Sequence, residues 1–210
     1  MSLPAIEKLL IELKEQIDSL DTRFVAPHIP ADPATSQKDL EHDVRAFCVL
    51  CHAAFEEFFE STALILAKFA AEQWKTARKA NDVIIALLSW HGSKLKIDED
   101  EKNPEKKPFD YLRELVNEAK TAFSREIHNN HGTSIIYLRN LLIPVAIEIK
   151  QDPNILNSLK QLALSRGDYA HKWRAKTFVA PEDARGYVRD VILLCEHVKE
   201  KAKNHITQLT

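Results

Sequence analysis

The sequence predicts an all-α protein: an antiparallel helical bundle of about six to seven helices forming a single domain over 1–210. Three observations predict it. Only 4 of the 210 residues are Gly, and the long stretches free of Gly and Pro are rich in Ala, Leu, Glu and Lys, which lose little rotamer freedom in a helix. Apolar residues recur at three- and four-residue steps, the period of one helix face. Hydrophobic residues make up 45% and charged residues 29%, a balance that fills a core and excludes a largely disordered chain. No internal repeat and no strand alternation stands out.

The elements follow in order. Leu3, Ile6, Leu9, Leu10, Leu13, Ile17 and Leu20 share one side of an amphipathic helix over 3–20. Pro27, Pro30 and Pro33 make 21–35 an extended loop, and helix and loop together extend the bundle. Ser36 can cap the next helix, which runs from Asp39 to Trp74 without Gly or Pro. Its buried stripe is Phe47, Leu50, Cys51, Ala54, Phe58 and Leu64 or Ile65. A shorter helix over 76–90 ends at Gly92. The segment 94–108, KLKIDEDEKNPEKKP, is a polar surface loop. Helix returns over 109–122, and HNNHG (128–132) reads as a turn. Thr133 or Ser134 caps a short apolar helix reaching Leu142, with Pro144 near its end. Pro153 and Pro181 fit the first turns of helices over 154–177 and 182–206, where a missing N–H costs nothing.

The N-terminal residues MSLPAIEKLLIELKEQ are charged early and carry no apolar run of the signal-peptide kind. No stretch reaches 18 apolar residues, so neither a membrane span nor a membrane partner is expected. Cys48, Cys51 and Cys195 are an odd set. Cys48 and Cys51 form a C-x2-C inside an apolar helical run with no second pair, which reads as buried reduced thiols ahead of a redox or zinc role. These features point to a reducing cytoplasm and call for no metal and no cofactor.

The formal net charge of −2 excludes the simplest, strongly basic kind of nucleic-acid binder, so an RNA contact requires a local patch. One exists. The stretch 160–176 holds Lys160, Arg166, Lys172, Arg174 and Lys176 against one acid, Asp168. Within it lies RGDYAH, an R-x4-H from Arg166 to His171. On a helix these two residues stand about 140° apart, with the small Gly167 and Ala170 between them. Leu159, Leu162, Tyr169 and Trp173 fall on one arc, suited to the core. One face buries apolar bulk, and the other offers a shallow floor edged by Arg166, Arg174 and His171, which a phosphodiester or a second helix could approach.

The motif has competitors. Arg125 to His131 ends in a Gly-containing polar connection, and the H-x2-H of His128 and His131 has no acidic or thiol ligand close by in sequence. Arg45 and His52 lie seven residues apart on one helix face, and Glu56 follows His52 by four. A His–Glu pair at that spacing reads first as a structural hydrogen bond and second as a neighbour of an active groove. For Arg166–His171 the plain alternative is a surface ion-pair segment, and spacing and charge leave both readings open.

The passage HNNHGTSIIYLRNLLIPVAIEI, followed by LNSLKQLALSRGDYAHKW, resembles the RiboL-PSP and related branches of the HEPN superfamily. The early segment RAFCVLCHAAFEEFFE, Arg45 to Glu60, is similar to their early helix, and the likeness covers about 40–205. The resemblance implies a helical bundle, a homodimer that brings two motif helices together, and metal-independent RNA cleavage. It assigns Arg166 and His171 to the catalytic site. One position departs: where the family has Asn or another polar residue after the Arg, this chain has Gly167, and Asp168 comes one place late.

In such a site a base takes the RNA 2′-hydroxyl proton, the oxygen attacks phosphorus, and an acid protonates the leaving 5′-oxygen. Histidine suits either task, Arg166 would hold the phosphate, Asp168 would orient His171, and Lys160, Lys172, Arg174 and Lys176 would guide the RNA backbone. The biological setting implied is a toxin–antitoxin or phage-defence system, with an antitoxin or other regulatory protein as partner. Two other readings stand beside it. One is a catalytically idle HEPN-like dimer that binds RNA, a nucleotide or a partner protein, favoured by Gly167. The other is a plain helical interaction protein.

Overall fold

The structure is a computed structural model that describes residues 2–30, 37–92, 107–129, 132–171 and 179–209, with the side chains of 2, 37–39, 167–171 and 209 outside that description. The described residues form seven α-helices and no strand: α1 (Ser2–Phe24), α2 (Gln37–Ala77), α3 (Asp82–His91), α4 (Pro108–Asn129), α5 (Ile135–Leu142), α6 (Pro153–His171) and α7 (Pro181–Leu209). Short 3-10 turns lie at Ala26–His28 and Ile143–Val145. The all-α bundle expected from the sequence is what the chain forms.

Helix α2 is the axis of the bundle. Phe47, Cys48, Cys51, Phe55, Phe58, Phe59, Ala63, Leu66 and Ala70 are all buried along it, and α1, α6 and α7 pack around it. Leu50, placed in the buried stripe by the sequence reading, is 41% exposed. It stands about 60° beyond Phe47, on the side away from Cys48, Phe55 and Phe59, because the buried arc is wider on that opposite side.

Several boundaries shift, each for a local reason. Helix α1 continues through Phe24, so 21–24 are helical rather than loop; Val25 still donates to Asp21 O at 3.0 Å. Helix α2 runs on to Ala77, and α3 starts only at Asp82 because Asn81 caps it, its side chain accepting from Ile84 N at 3.1 Å. Gly92 closes α3 in a left-handed conformation (φ 67), donating to Leu88 O at 3.0 Å. Helix α4 reaches Asn129, so His128 and Asn129 are helical rather than part of a turn. Ser134 caps α5, its Oγ accepting from Tyr137 N at 3.2 Å. Helices α6 and α7 open at Pro153 and Pro181. The end expected for α6 at 177 lies outside the described residues.

Ion pairs fix the directions of the helices. Asp21 meets Arg185 and Lys14 meets Glu196, so α1 and α7 run antiparallel. His28, just beyond α1, meets Asp43 near the start of α2, and Asp21 acts on Cys51 further along it, so α1 and α2 also run antiparallel. On α6, Ser158 donates to Asp190 at 2.6 Å and Ser165 meets Cys48, while Tyr187, earlier on α7 than Asp190, is near the same thiol. Helix α6 therefore runs opposite to both α7 and α2.

An extended strap, 146–152, joins the end of α5 to the start of α6. Ile147 and Ile149 are buried while Glu148 and Lys150 are exposed. Two histidines of α7 hold it. His205 Nε2 donates to Ala146 O at 3.0 Å and His197 Nε2 donates to Glu148 O at 3.1 Å. A cavity of about 610 Å³ beside the strap is lined by Arg139, Ile143 and Gln151 among others. It contains none of the residues singled out by the sequence.

Candidate functional site

The motif residue that the structure describes in full is Arg166. Leu159 and Leu162 are buried at 0% and 1% exposure, as their arc on α6 requires, and Ser165 is also buried. Arg166 follows Leu162 by four residues and Leu159 by seven, so it lies on that same side of α6, yet near the helix end it is exposed. It forms no ion pair among the described residues, and Lys160 on the same helix is exposed as well. The backbone of α6 continues through Gly167, Asp168, Ala170 and His171. The side chains of Asp168 and His171, and the residues Lys172, Arg174 and Lys176, lie outside the described residues.

Beside Arg166 runs a polar file on α2. His52, Glu56 and Glu60 follow one another at four-residue steps and so share one face. His52 is 2% exposed, and its Nδ1 lies 3.8 Å from Glu56 Oε2. Burial, and then the positive charge of Arg166, depress the imidazole to about 4, so His52 is neutral at ordinary pH. Further along, Tyr137 of α5 donates to Glu60 Oε1 at 2.5 Å. Burial, this bond and the nearby charge of Glu56 push the Tyr137 phenol well above its ordinary value. The file thus spans from α5 to the basic end of α6, across α2.

The structure brings Arg166 to the His52–Glu56 pair, which the sequence could place only on a separate helix. Tyr137 and Glu60 were missed by sequence reasoning. The His52–Glu56–Glu60 spacing was a usable signal, but nothing in it pointed to Tyr137, 77 residues away. The competing pair Arg45 and His52 does share a face of α2, yet Arg45 sits near Glu41 at 3.9 Å, and it is Arg166 whose charge reaches the imidazole.

The cysteines are structural. Cys48, Cys51 and Cys195 are free and buried. Burial raises the Cys48 thiol to about 12, pushes Cys51 up further and holds Cys195 well above its ordinary value, which keeps all three as inert thiols. Among the described residues no helix is long and apolar enough to cross a membrane.

A bundle built on one long axial helix, with Arg166 of the motif exposed near the end of the neighbouring α6, is consistent with a HEPN-type bundle, a nuclease-like or RNA-related fold. The RiboL-PSP-HEPN family model matches residues 5–204, and the chain belongs to that family. No curated protein and no solved structure matches it.

Proposed function

We propose that the protein is a metal-independent endoribonuclease that works as a homodimer, with Arg166 and His171 as its catalytic residues. The observation that carries this reading is Arg166: an exposed guanidinium with no ion pair among the described residues, at the motif position of a HEPN-family chain. A planar, permanently charged fork suits the non-bridging oxygens of a phosphodiester. His171 takes the proton of the RNA 2′-hydroxyl as that oxygen attacks phosphorus. The bond from phosphorus to the 5′-oxygen breaks, and the copy of His171 in the second protomer protonates the leaving oxygen. The products carry 2′,3′-cyclic phosphate and 5′-hydroxyl ends, and no step needs a metal.

Asp168, three residues before His171, orients the imidazole. Lys160, Lys172, Arg174 and Lys176 draw in the RNA backbone. A toxin–antitoxin or phage-defence role, with a regulatory protein as partner, fits this chemistry. The second reading, an idle dimer that binds RNA without cutting it, is favoured by Gly167: a glycine inside a helix loosens it by about 1 kcal/mol relative to Ala.

The test is cleavage of total RNA by purified protein with EDTA present. Cyclic-phosphate products that vanish with His171→Ala support the nuclease. Salt-sensitive RNA binding with no cleavage selects the idle dimer. Products with 5′-phosphate ends, or strict dependence on a divalent ion, overturn the mechanism.

A further inference from the structure

His52 is a buried histidine that the cleavage chemistry above does not use. It sits one turn after Cys48, the residue that meets Ser165 of α6. Side chains on a helix lean toward its N-terminus. Because α6 runs opposite to α2, the stem of Arg166 leans from the level of Cys48 toward that of His52. The lean accounts for the guanidinium acting on this imidazole, one residue after Ser165.

The chemistry of the pair is complementary. A guanidinium only donates hydrogen bonds, and a neutral imidazole offers one donor and one acceptor. Glu56 lies on the Nδ1 side, its Oε2 3.8 Å from that nitrogen. A carboxylate there favours the proton on Nδ1 and leaves the lone pair on Nε2. The lone pair is the one group of this ring that a guanidinium can use.

We propose that His52, aligned by Glu56, is a positioning residue for Arg166, its Nε2 lone pair accepting from the guanidinium and so aiming the remaining N–H groups at the RNA phosphate. The proposal rests on the RNA-binding reading of Arg166. A long arginine stem is otherwise free to sweep the surface, and fixing one N–H removes much of that freedom before the phosphate arrives. Tyr137 supports the arrangement from the far end of the file, since its bond to Glu60 ties α5 to α2 beside Glu56.

Two near-isosteric variants test it. His52→Gln keeps an amide oxygen near the place of Nε2, whereas His52→Asn keeps a polar group only near Nδ1. Affinity for a short single-stranded RNA is measured for each, alone and combined with Arg166→Ala. His52→Asn is expected to weaken binding about tenfold in the wild-type background and to add nothing once Arg166 is gone, while His52→Gln stays within about twofold of wild type. Equal losses with and without Arg166, or no loss at all, overturn the proposal. A second readout is independent of RNA. The His52 ring, followed by NMR, should carry its proton on Nδ1 and titrate at a higher pH in Arg166→Ala than in wild type. If the wild type binds no RNA, the functional reading fails, and the ring titration still decides whether the pairing exists. An unchanged titration, or a proton on Nε2, overturns it.

Discussion

Two arginines of neighbouring helices show how the same side chain serves opposite ends. Arg185, near the start of α7, grips Asp21 of α1 with Nε at 2.7 Å and Nη2 at 2.9 Å from the two carboxylate oxygens. The pair is about three-quarters covered, with side-chain exposures of 23% and 26%. Its donors are committed to holding two helices in register. Arg166, near the end of α6, faces solvent with no carboxylate partner among the described residues, beside a neutral imidazole. One guanidinium closes the architecture, while the other keeps its charge available. The difference lies in what stands opposite: a carboxylate satisfies the fork, whereas an uncharged histidine leaves most of it open.

The comparison breaks most visibly through activity. Arg166→Ala and His171→Ala are each expected to lower RNA cleavage by about 10²–10⁴-fold while the circular dichroism spectrum and melting temperature stay near wild type. Arg166→Lys should recover little, because a point charge does not replace a planar fork. Full cleavage by His171→Ala would remove the proposed mechanism.

Arg185→Ala should do the reverse. Loss of a partly covered bidentate pair is expected to reduce unfolding free energy by about 1–3 kcal/mol, read by urea denaturation. Cleavage per folded molecule should be unchanged at a temperature where the variant is folded. An Arg185 variant that is stable but inactive would erase the distinction between the two arginines.

A pH titration sharpens the contrast from the side of His52. Its folded-state value of about 4 lies below the ~6.5 of a histidine in an unfolded chain. The unfolded state therefore binds the proton more readily. The stability contributed by neutral His52 is present in full above about pH 6.5 and is lost as pH falls toward 4. Denaturation midpoints should drop across that window, and His52→Gln should drop less.

The smallest effect expected is at Lys160. Lys160→Glu should lower the slope of log affinity against log salt by about one to two units with little change in cleavage at saturating RNA. The dimer is checked alongside: light scattering at micromolar protein should report about twice the 24.0 kDa of one chain, and a monomer mass would count against two motif helices sharing one site.

Much of the bundle was legible because helix periodicity is a local property. The apolar stripe of α1, the caps at Gly92 and Ser134, and the prolines opening α6 and α7 could all be read from short windows. Helix ends were harder to read, since α1 and α4 persist past residues that commonly terminate helices. The strap was also in the sequence as Ile147, Glu148, Ile149, Lys150, but four alternating residues are too few to tell from chance. The site was half legible. The motif position of Arg166 could be read from its own helix, but its exposure could not, since it follows Leu159 and Leu162 on the buried side of α6. Its neighbour His52 could not be read either, because periodicity gives the face of each helix and says nothing of which faces meet. The link between Tyr137 and Glu60 is of the same kind.

The strap carries a further consequence. His205 and His197 clamp the carbonyls of Ala146 and Glu148 to α7, and Pro153 starts α6 four residues after Ile149. The connection behaves as a spacer gauge that sets the rotational phase of α6. One residue added between Ile149 and Pro153 must either bulge from the clamped strap or advance the helix by about 100°. The second outcome would swing Arg166 away from His52 and carry a leucine of the core out to water, so a single inserted alanine far from the motif could silence it without touching any residue of the site.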